Sequence, residues 1–181
     1  MTKKEARKKY RDIRDLLSED LIELASHSIC EQLSEINLAD KTVHVFLPIK
    51  RLKEIDLWEF INHCYAEKVT VSTSVSNFDN HSMKTILLTP ETELKENEWG
   101  IPEPTNGKEL SAKDIDLVIV PLLYADEAGN RVGYGKGFYD RFLAECRADV
   151  KKIGVNYFAP KESIEDTEFT DQKMDVLLFA K

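Results

Sequence analysis

Residues 116–143 read DLVIVPLLYADEAGNRVGYGKGFYDRFL. The stretch from Asp116 to Leu123 is an almost unbroken apolar run rich in β-branched residues, the pattern of a strand buried on both faces of a sheet. Four of the chain's seven glycines follow, Gly129, Gly133, Gly135 and Gly137, all within nine residues. The segment from Gly137 to Ala148 then has a helical pattern. Glycine loses much freedom on folding, so such clustering means that the backbone turns sharply or something approaches it closely. A buried strand, a glycine-rich loop and a helix in succession form the unit of an α/β fold. In open α/β sheets that loop lies where ligands bind, beyond the carboxyl end of a strand.

The flanking sequence repeats the alternation. Upstream, TVHVFLP, KVTVSTSV and SMKTILL predict strands, with EIDLWEFINHCYA a helix between the first two. Downstream, KKIGVNYF and DVLLFA predict two more strands. NEWGIPEPTNG reads as a loop stiffened by Pro102 and Pro104. Near the N-terminus Ala6, Tyr10, Ile13 and Leu17 predict an amphipathic helix with a basic outer face. Ser18, Glu19 and Asp20 start a second helix, carried on by Leu21, Ala25, Ile29, Leu33 and Ile36. The expected architecture is a single α/β domain over 1–181, in three layers. A mostly parallel central sheet is flanked by helices, and an N-terminal basic helix is added.

The net charge of −8 is unevenly spread. Residues 1–14 hold seven basic side chains (Lys3, Lys4, Arg7, Lys8, Lys9, Arg11, Arg14) against Glu5 and Asp12, so the rest of the chain carries −13. An acidic body excludes a broad nucleic-acid-binding face and leaves one positive element suited to a compact polyanion. That element has a plainer reading as a solvated helix face. No apolar run approaches the roughly 20 residues of a membrane span. The N-terminus lacks the apolar core of a secretion signal, which predicts a cytoplasmic protein; no membrane contact and a monomer are expected. Cys30, Cys64 and Cys146 are too far apart for a zinc pattern and read as structural thiols. His27, His44, His63 and His81 are scattered and read as structural too.

The glycine loop itself suits an anion. Backbone N–H groups of a glycine-rich turn can converge on phosphate, the following helix N-terminus adds partial positive charge, and Arg131 and Lys136 add full charges. Lys136 is followed by Gly137 rather than Ser or Thr, so this is not a P-loop, and Phe138 stands where the dinucleotide fingerprint needs its third glycine. A tight turn with no ligand therefore remains open. Asp140, one turn into the helix, can either hold a magnesium ion on phosphate oxygens or serve the helix dipole.

Taken together, VPLLYADEAGNRVGYGKGFYDRFL resembles the signature of the 5-formyltetrahydrofolate cyclo-ligase family, also called methenyltetrahydrofolate synthetases. Three departures stand out: Leu122 replaces the usual glycine after Pro121, Tyr124 and Ala125 shift the aromatic pattern, and Phe138 replaces a tyrosine. The resemblance extends over nearly the whole chain. KKEAR resembles the family's N-terminal element that reaches ATP phosphates, implying Lys3 and Arg7. FLPIKRLKEID implies Leu47 and Glu54 in the folate pocket, SMKTILL implies Met83, and NEWGIPEP implies Trp99. FTDQKMDVLL implies Asp171 beside Asp140 as magnesium ligands, with Asp175 as the alternative to Asp171.

The resemblance implies an enzyme that converts 5-formyltetrahydrofolate, polyglutamylated or not, to 5,10-methenyltetrahydrofolate. ATP is co-substrate and Mg2+ the metal. Gly133, Tyr134, Gly135, Lys136, Gly137, Phe138 and Tyr139 would join Lys3, Arg7 and Arg131 around ATP. Arg131, Lys136 and Tyr139 are the implied catalytic residues. Tyr134 and Phe138, with Trp99, would wall the pterin, and Glu54 would accept its ring N–H bonds. Two rival readings are a non-catalytic nucleotide-binding protein and an α/β enzyme of sugar phosphates or acyl groups.

Overall fold

Two side-chain caps organise the N-terminal region of the computed structural model, which describes residues 1–181. Thr2 and Glu5 form a reciprocal capping box that starts helix α1 (Lys3–Asp15). The Ser18 hydroxyl accepts from Leu21 N–H and starts α2 (Glu19–Ser34). Then come β1 (Thr42–His44), α3 (Trp58–Ala66), β2 (Thr70–Asn77) and β3 (Ser82–Leu88). The segment expected as a loop holds a small antiparallel ladder, β4 (Leu94–Glu96) with β5 (Pro102–Pro104). After β6 (Glu109–Leu110) and β7 (Leu117–Pro121), a short hairpin of β8 (Tyr124–Ala125) and β9 (Arg131–Val132) presents the glycine loop. Helix α4 (Phe138–Glu145) and strands β10 (Lys151–Asn156) and β11 (Val176–Phe179) complete the chain.

One seven-stranded sheet runs β11-β10-β7-β1-β2-β3-β6. The first five are parallel to one another, and β3 runs antiparallel to both β2 and the edge strand β6. The expected α/β class with a mostly parallel sheet flanked by helices is what the chain adopts. From β1 the chain crosses through α3 to β2 on one side; from β7 it crosses through α4 to β10 on the other. The strand order therefore reverses between β1 and β7, and their carboxyl ends open the crevice that this topology reserves for ligands.

Alternation along β7 shows the layering. Leu117 and Ile119 join the larger core against α2 and α3, whereas Val118 and Val120 join the core that includes Phe142 and Leu143 of α4. That confirms β7 as a strand covered on both faces. A third cluster fastens α1 to the β8–β9 hairpin through Ala6, Tyr10, Tyr124 and Val132. The Tyr10 and Tyr124 rings stack with centroids 4.2 Å apart.

Two details differ from the amphipathic pattern read in α1. Ile13 is exposed, and the buried positions are Ala6, Tyr10 and Arg14, so one arginine of the supposedly basic outer face points inward. Leu122 also has a structural explanation. A Cβ placed on Gly154 would lie 2.5 Å from Leu122 Cδ1 and 2.9 Å from Met174 Cγ, so Leu122 fills the space that Gly154 leaves. His44 is fully buried, with Nδ1 3.1 Å from Ser72 Oγ and Nε2 2.8 Å from Ser74 Oγ. Burial pushes its pKa down to about 3, so the ring is neutral at pH 7. No helix is long and apolar enough to cross a membrane.

Candidate functional site

The crevice beyond β1 and β7 is a cavity of about 570 Å³, within the range of small-molecule sites. Its walls come from α1, the segment after β1, the β2–β3 hairpin, the loop around Trp99, the glycine loop with the start of α4, and Asp171. All but one of the candidate site residues read from the sequence line this one cavity. They are Lys3, Arg7, Leu47, Glu54, Met83, Trp99, Arg131, Asp140, Asp171 and the whole run from Gly133 to Tyr139. Asp175 does not line it; its carboxylate accepts from Lys152 N–H at 2.7 Å.

At one end the charges are already paired. Arg131, whose side chain is 6% exposed, donates from Nη2 to Asp140 Oδ1 at 2.7 Å and from Nη1 to Gln172 O. Lys3 Nζ meets Asp171 Oδ2 at 2.5 Å. Burial opposes ionisation of Asp171, but the bonds from Lys3 and Glu168 N–H, with the charges of Lys3 and Arg131, hold its pKa below the usual carboxylate range. Arg7 Nε donates to Gly133 O at 3.1 Å and so ties α1 to the glycine loop. Lys136 is exposed at the rim.

The glycines have different local reasons. Gly135 has φ +89, a backbone state that L side chains rarely adopt, and a Cβ there would meet Arg7 Nε at 3.2 Å. Gly133 does not have positive φ, and nothing lies within 4 Å of the Cβ it lacks. No packing neighbour explains the missing side chain at 133, which borders the open cavity.

The other end is apolar with one buried carboxylate. Glu54 is 6% exposed and accepts from Ile49 N–H at 2.9 Å. Burial pushes its pKa up, opposed by the Ile49 N–H, the Tyr134 hydroxyl and the charges of Arg14 and Arg51. The phenols of Tyr134 and Tyr139 are both pushed far up, by burial first and by the Glu54 charge second, so each is a neutral hydroxyl at any ordinary pH. Phe78 bridges two aromatics singled out in the sequence, 5.2 Å from Trp99 and 5.2 Å edge-on to Phe138. Phe78 was not among the expected site residues. Its signal is faint: a lone aromatic in the polar tip of the β2–β3 hairpin. Arg14 was missed as well, counted in the sequence with the solvated charges of α1.

The donor set for a metal is two carboxylates. Asp140 Oδ1 and Asp171 Oδ2 take the protein's hydrogen bonds, leaving Asp140 Oδ2 and Asp171 Oδ1 without a protein donor. No cluster of three or more His, Cys, Asp or Glu side chains is placed to hold an ion by itself. Two carboxylates fit magnesium shared with substrate phosphates, which commonly uses one or two protein ligands.

Comparison with known proteins places this arrangement. Residues 1–175 match the 5-formyltetrahydrofolate cyclo-ligase family. The probable 5-formyltetrahydrofolate cyclo-ligase of Schizosaccharomyces pombe is 31% identical, with 94% of each chain covered. A 5,10-methenyltetrahydrofolate synthetase from Mycoplasma pneumoniae shares the fold at a TM-score of 0.78 and 20% identity, over all of both chains. The synthetase of Aquifex aeolicus superposes at 0.77 with 28% identity, over all of this chain and 91% of that one. The chain belongs to the 5-formyltetrahydrofolate cyclo-ligase family of enzymes.

Proposed function

We propose that this member of the family converts 5-formyltetrahydrofolate to 5,10-methenyltetrahydrofolate while ATP goes to ADP and phosphate. The observation that carries this reading is the single cavity with a cationic glycine loop at one end and Glu54 among aromatic rings at the other. A formamide oxygen is a poor leaving group, so ring closure needs activation. The formyl oxygen attacks the γ-phosphorus and ADP leaves. The neighbouring amine then attacks the formyl carbon, loses its proton, and phosphate departs with the former formyl oxygen.

Phosphoryl transfer depends mainly on positioning and charge neutralisation. Lys3, Arg7, Arg131 and Lys136 supply the cations, and Gly133, Gly135 and Gly137 let the backbone come close to the phosphates with Phe138 and Tyr139 beside them. Arg131 and Lys136 act on the transferred group. Tyr139, held neutral by burial, acts as a hydrogen-bond donor and not as a base. Asp140 and Asp171 would hold the magnesium ion, which neutralises phosphate charge during transfer. When the nucleotide enters, Lys3 and Arg131 exchange these carboxylates for phosphate oxygens. Glu54 accepts from the ring N–H groups of the pterin, and Leu47, Met83, Trp99, Tyr134 and Phe138 enclose it.

The test is the absorbance of the methenyl product with purified protein, and with ATP or magnesium omitted in turn. Product formation only in the complete mixture is expected; no product there overturns the reading. We also read the chain as a single domain, because one sheet links β1 to β11, and as a cytoplasmic protein, because all three thiols are unpaired; a monomer is the expected state. One calorimetric unfolding transition and a monomer mass by light scattering are the expected results.

A further inference from the structure

Arg14 is the only buried basic residue of α1, at 3% exposure, and it has no carboxylate within ion-pairing distance. Its Nη2 donates to Leu122 O and its Nη1 to Tyr134 Oη at 3.1 Å. The guanidinium carbon stands 5.1 Å from the centre of the Tyr157 ring. Nε is buried with no acceptor at all. Arg14 and Glu54 both line the main cavity, and they also share a small gap beside it with Phe46 and Leu122. A buried charge in this state is costly, and an unsatisfied buried donor adds to the cost. Packing alone is a poor account of it.

We propose that Arg14 is a positioning residue for folate binding: it fixes the Tyr134 hydroxyl and keeps the neighbouring Glu54 charged, so that Glu54 meets the pterin as a full acceptor. The inference rests on the reading of Glu54 as the pterin's partner. Burial works against that charge, and a protonated Glu54 would offer a donor where the ring N–H groups need acceptors. The groups facing Glu54 are few. Arg14 comes from α1, Arg51 from the turn after β1, Tyr134 from the glycine loop, Tyr139 from α4, and Tyr157 from the end of β10. The three tyrosines are neutral. Arg51 is exposed and donates to Trp99 O at 2.9 Å, so solvent screens it. Arg14, at 3% exposure, is the less screened of the two cations.

The experiment compares Arg14→Gln, Arg14→Lys, Glu54→Gln and the double variant Arg14→Gln/Glu54→Gln. Affinity for 5-formyltetrahydrofolate is read from tryptophan fluorescence without ATP, from neutral into mildly acidic solution. ATP affinity is measured beside it. Glu54→Gln should weaken folate binding about 10- to 100-fold and flatten its pH dependence. Arg14→Gln should weaken it at neutral pH and move the acid loss of binding to higher pH, because Glu54 then protonates sooner. Arg14→Lys, which keeps the charge, should restore the profile, and the double variant should bind no worse than Glu54→Gln alone. An Arg14→Gln profile like the wild type, or losses that multiply in the double variant, overturns the role of Arg14. Wild-type binding by Glu54→Gln overturns the placement of the pterin itself, and this inference with it.

Discussion

Arg131 and the residues from Gly133 to Asp140 form the glycine-loop end of the cavity, nine residues within one span of ten. The opposite end gathers Leu47, Glu54, Phe78, Met83 and Trp99 from three separate stretches. The first end is a backbone device, a reversing loop and a helix start, where Arg131 is already paired with Asp140 and Lys3 of α1 with Asp171. The second end is a side-chain device, with ring faces and one acceptor already in place. On the proposed function, the two ligands would enter on different terms: the nucleotide would trade partners with the protein, whereas the pterin would meet a prepared surface.

Breaking the trade has the largest expected effect. Asp140→Ala should lower ATP-dependent turnover by orders of magnitude, through loss of a metal ligand. Arg131 would keep only Gln172 O, so stability should fall by about 1–3 kcal/mol, checked by urea unfolding beside the kinetics. Turnover near normal at low magnesium would refute the metal role. Next comes Gly135→Ala. The strain of a left-handed alanine is about 1–2 kcal/mol, and the new methyl presses on Arg7. Thermal unfolding without ligand should drop by a few degrees, and the shift induced by magnesium-ATP should vanish. A full shift in that variant would show that Gly135 serves only the turn.

Smaller effects sharpen the other side. Phe78→Ala removes the ring that links Trp99 to Phe138, and aromatic pairs contribute about 0.5–1.5 kcal/mol each. Folate affinity should fall by roughly 3- to 10-fold per pair lost, with ATP affinity unchanged in calorimetric titration; equal losses for both ligands would erase the distinction between the ends. His44 lies outside both. Its folded pKa of about 3 is below the unfolded value near 6.5, so only the unfolded chain takes up the proton as the medium is acidified. Stability is therefore intact above pH 6.5 and declines as pH falls toward 3, by at most ~1.4 kcal/mol per unit. His44→Gln should flatten that slope in denaturant unfolding between neutral and mildly acidic pH.

The same contrast governs what the sequence discloses. A run such as Leu117–Val120 declares its own burial, and clustered glycines announce a special backbone, because both signals lie within a few residues. The antiparallel pairing of β3 and the small β4–β5 ladder depend on partners elsewhere, which no local period records. In the site, Gly133 to Asp140 could be picked out by composition. Glu54 and Trp99 stood out only through resemblance to a family. Arg14 was hidden because its spacing from Ala6 and Tyr10 is that of a buried position while its chemistry is that of a surface one.

The interlock of Leu122 with Gly154 also constrains the order in which this chain can change. Leu122 directly follows β7, Gly154 lies within the neighbouring β10, and the two share one volume with Met174. Reducing Leu122 to alanine or glycine is a route open from the present sequence, at the cost of a cavity. Adding a side chain at 154 forces the side chains of Leu122 and Met174 to move aside. The neighbourhood is thus asymmetric toward mutation: shrinking Leu122 needs no prior change at 154, whereas a side chain at 154 requires Leu122 and Met174 to shift.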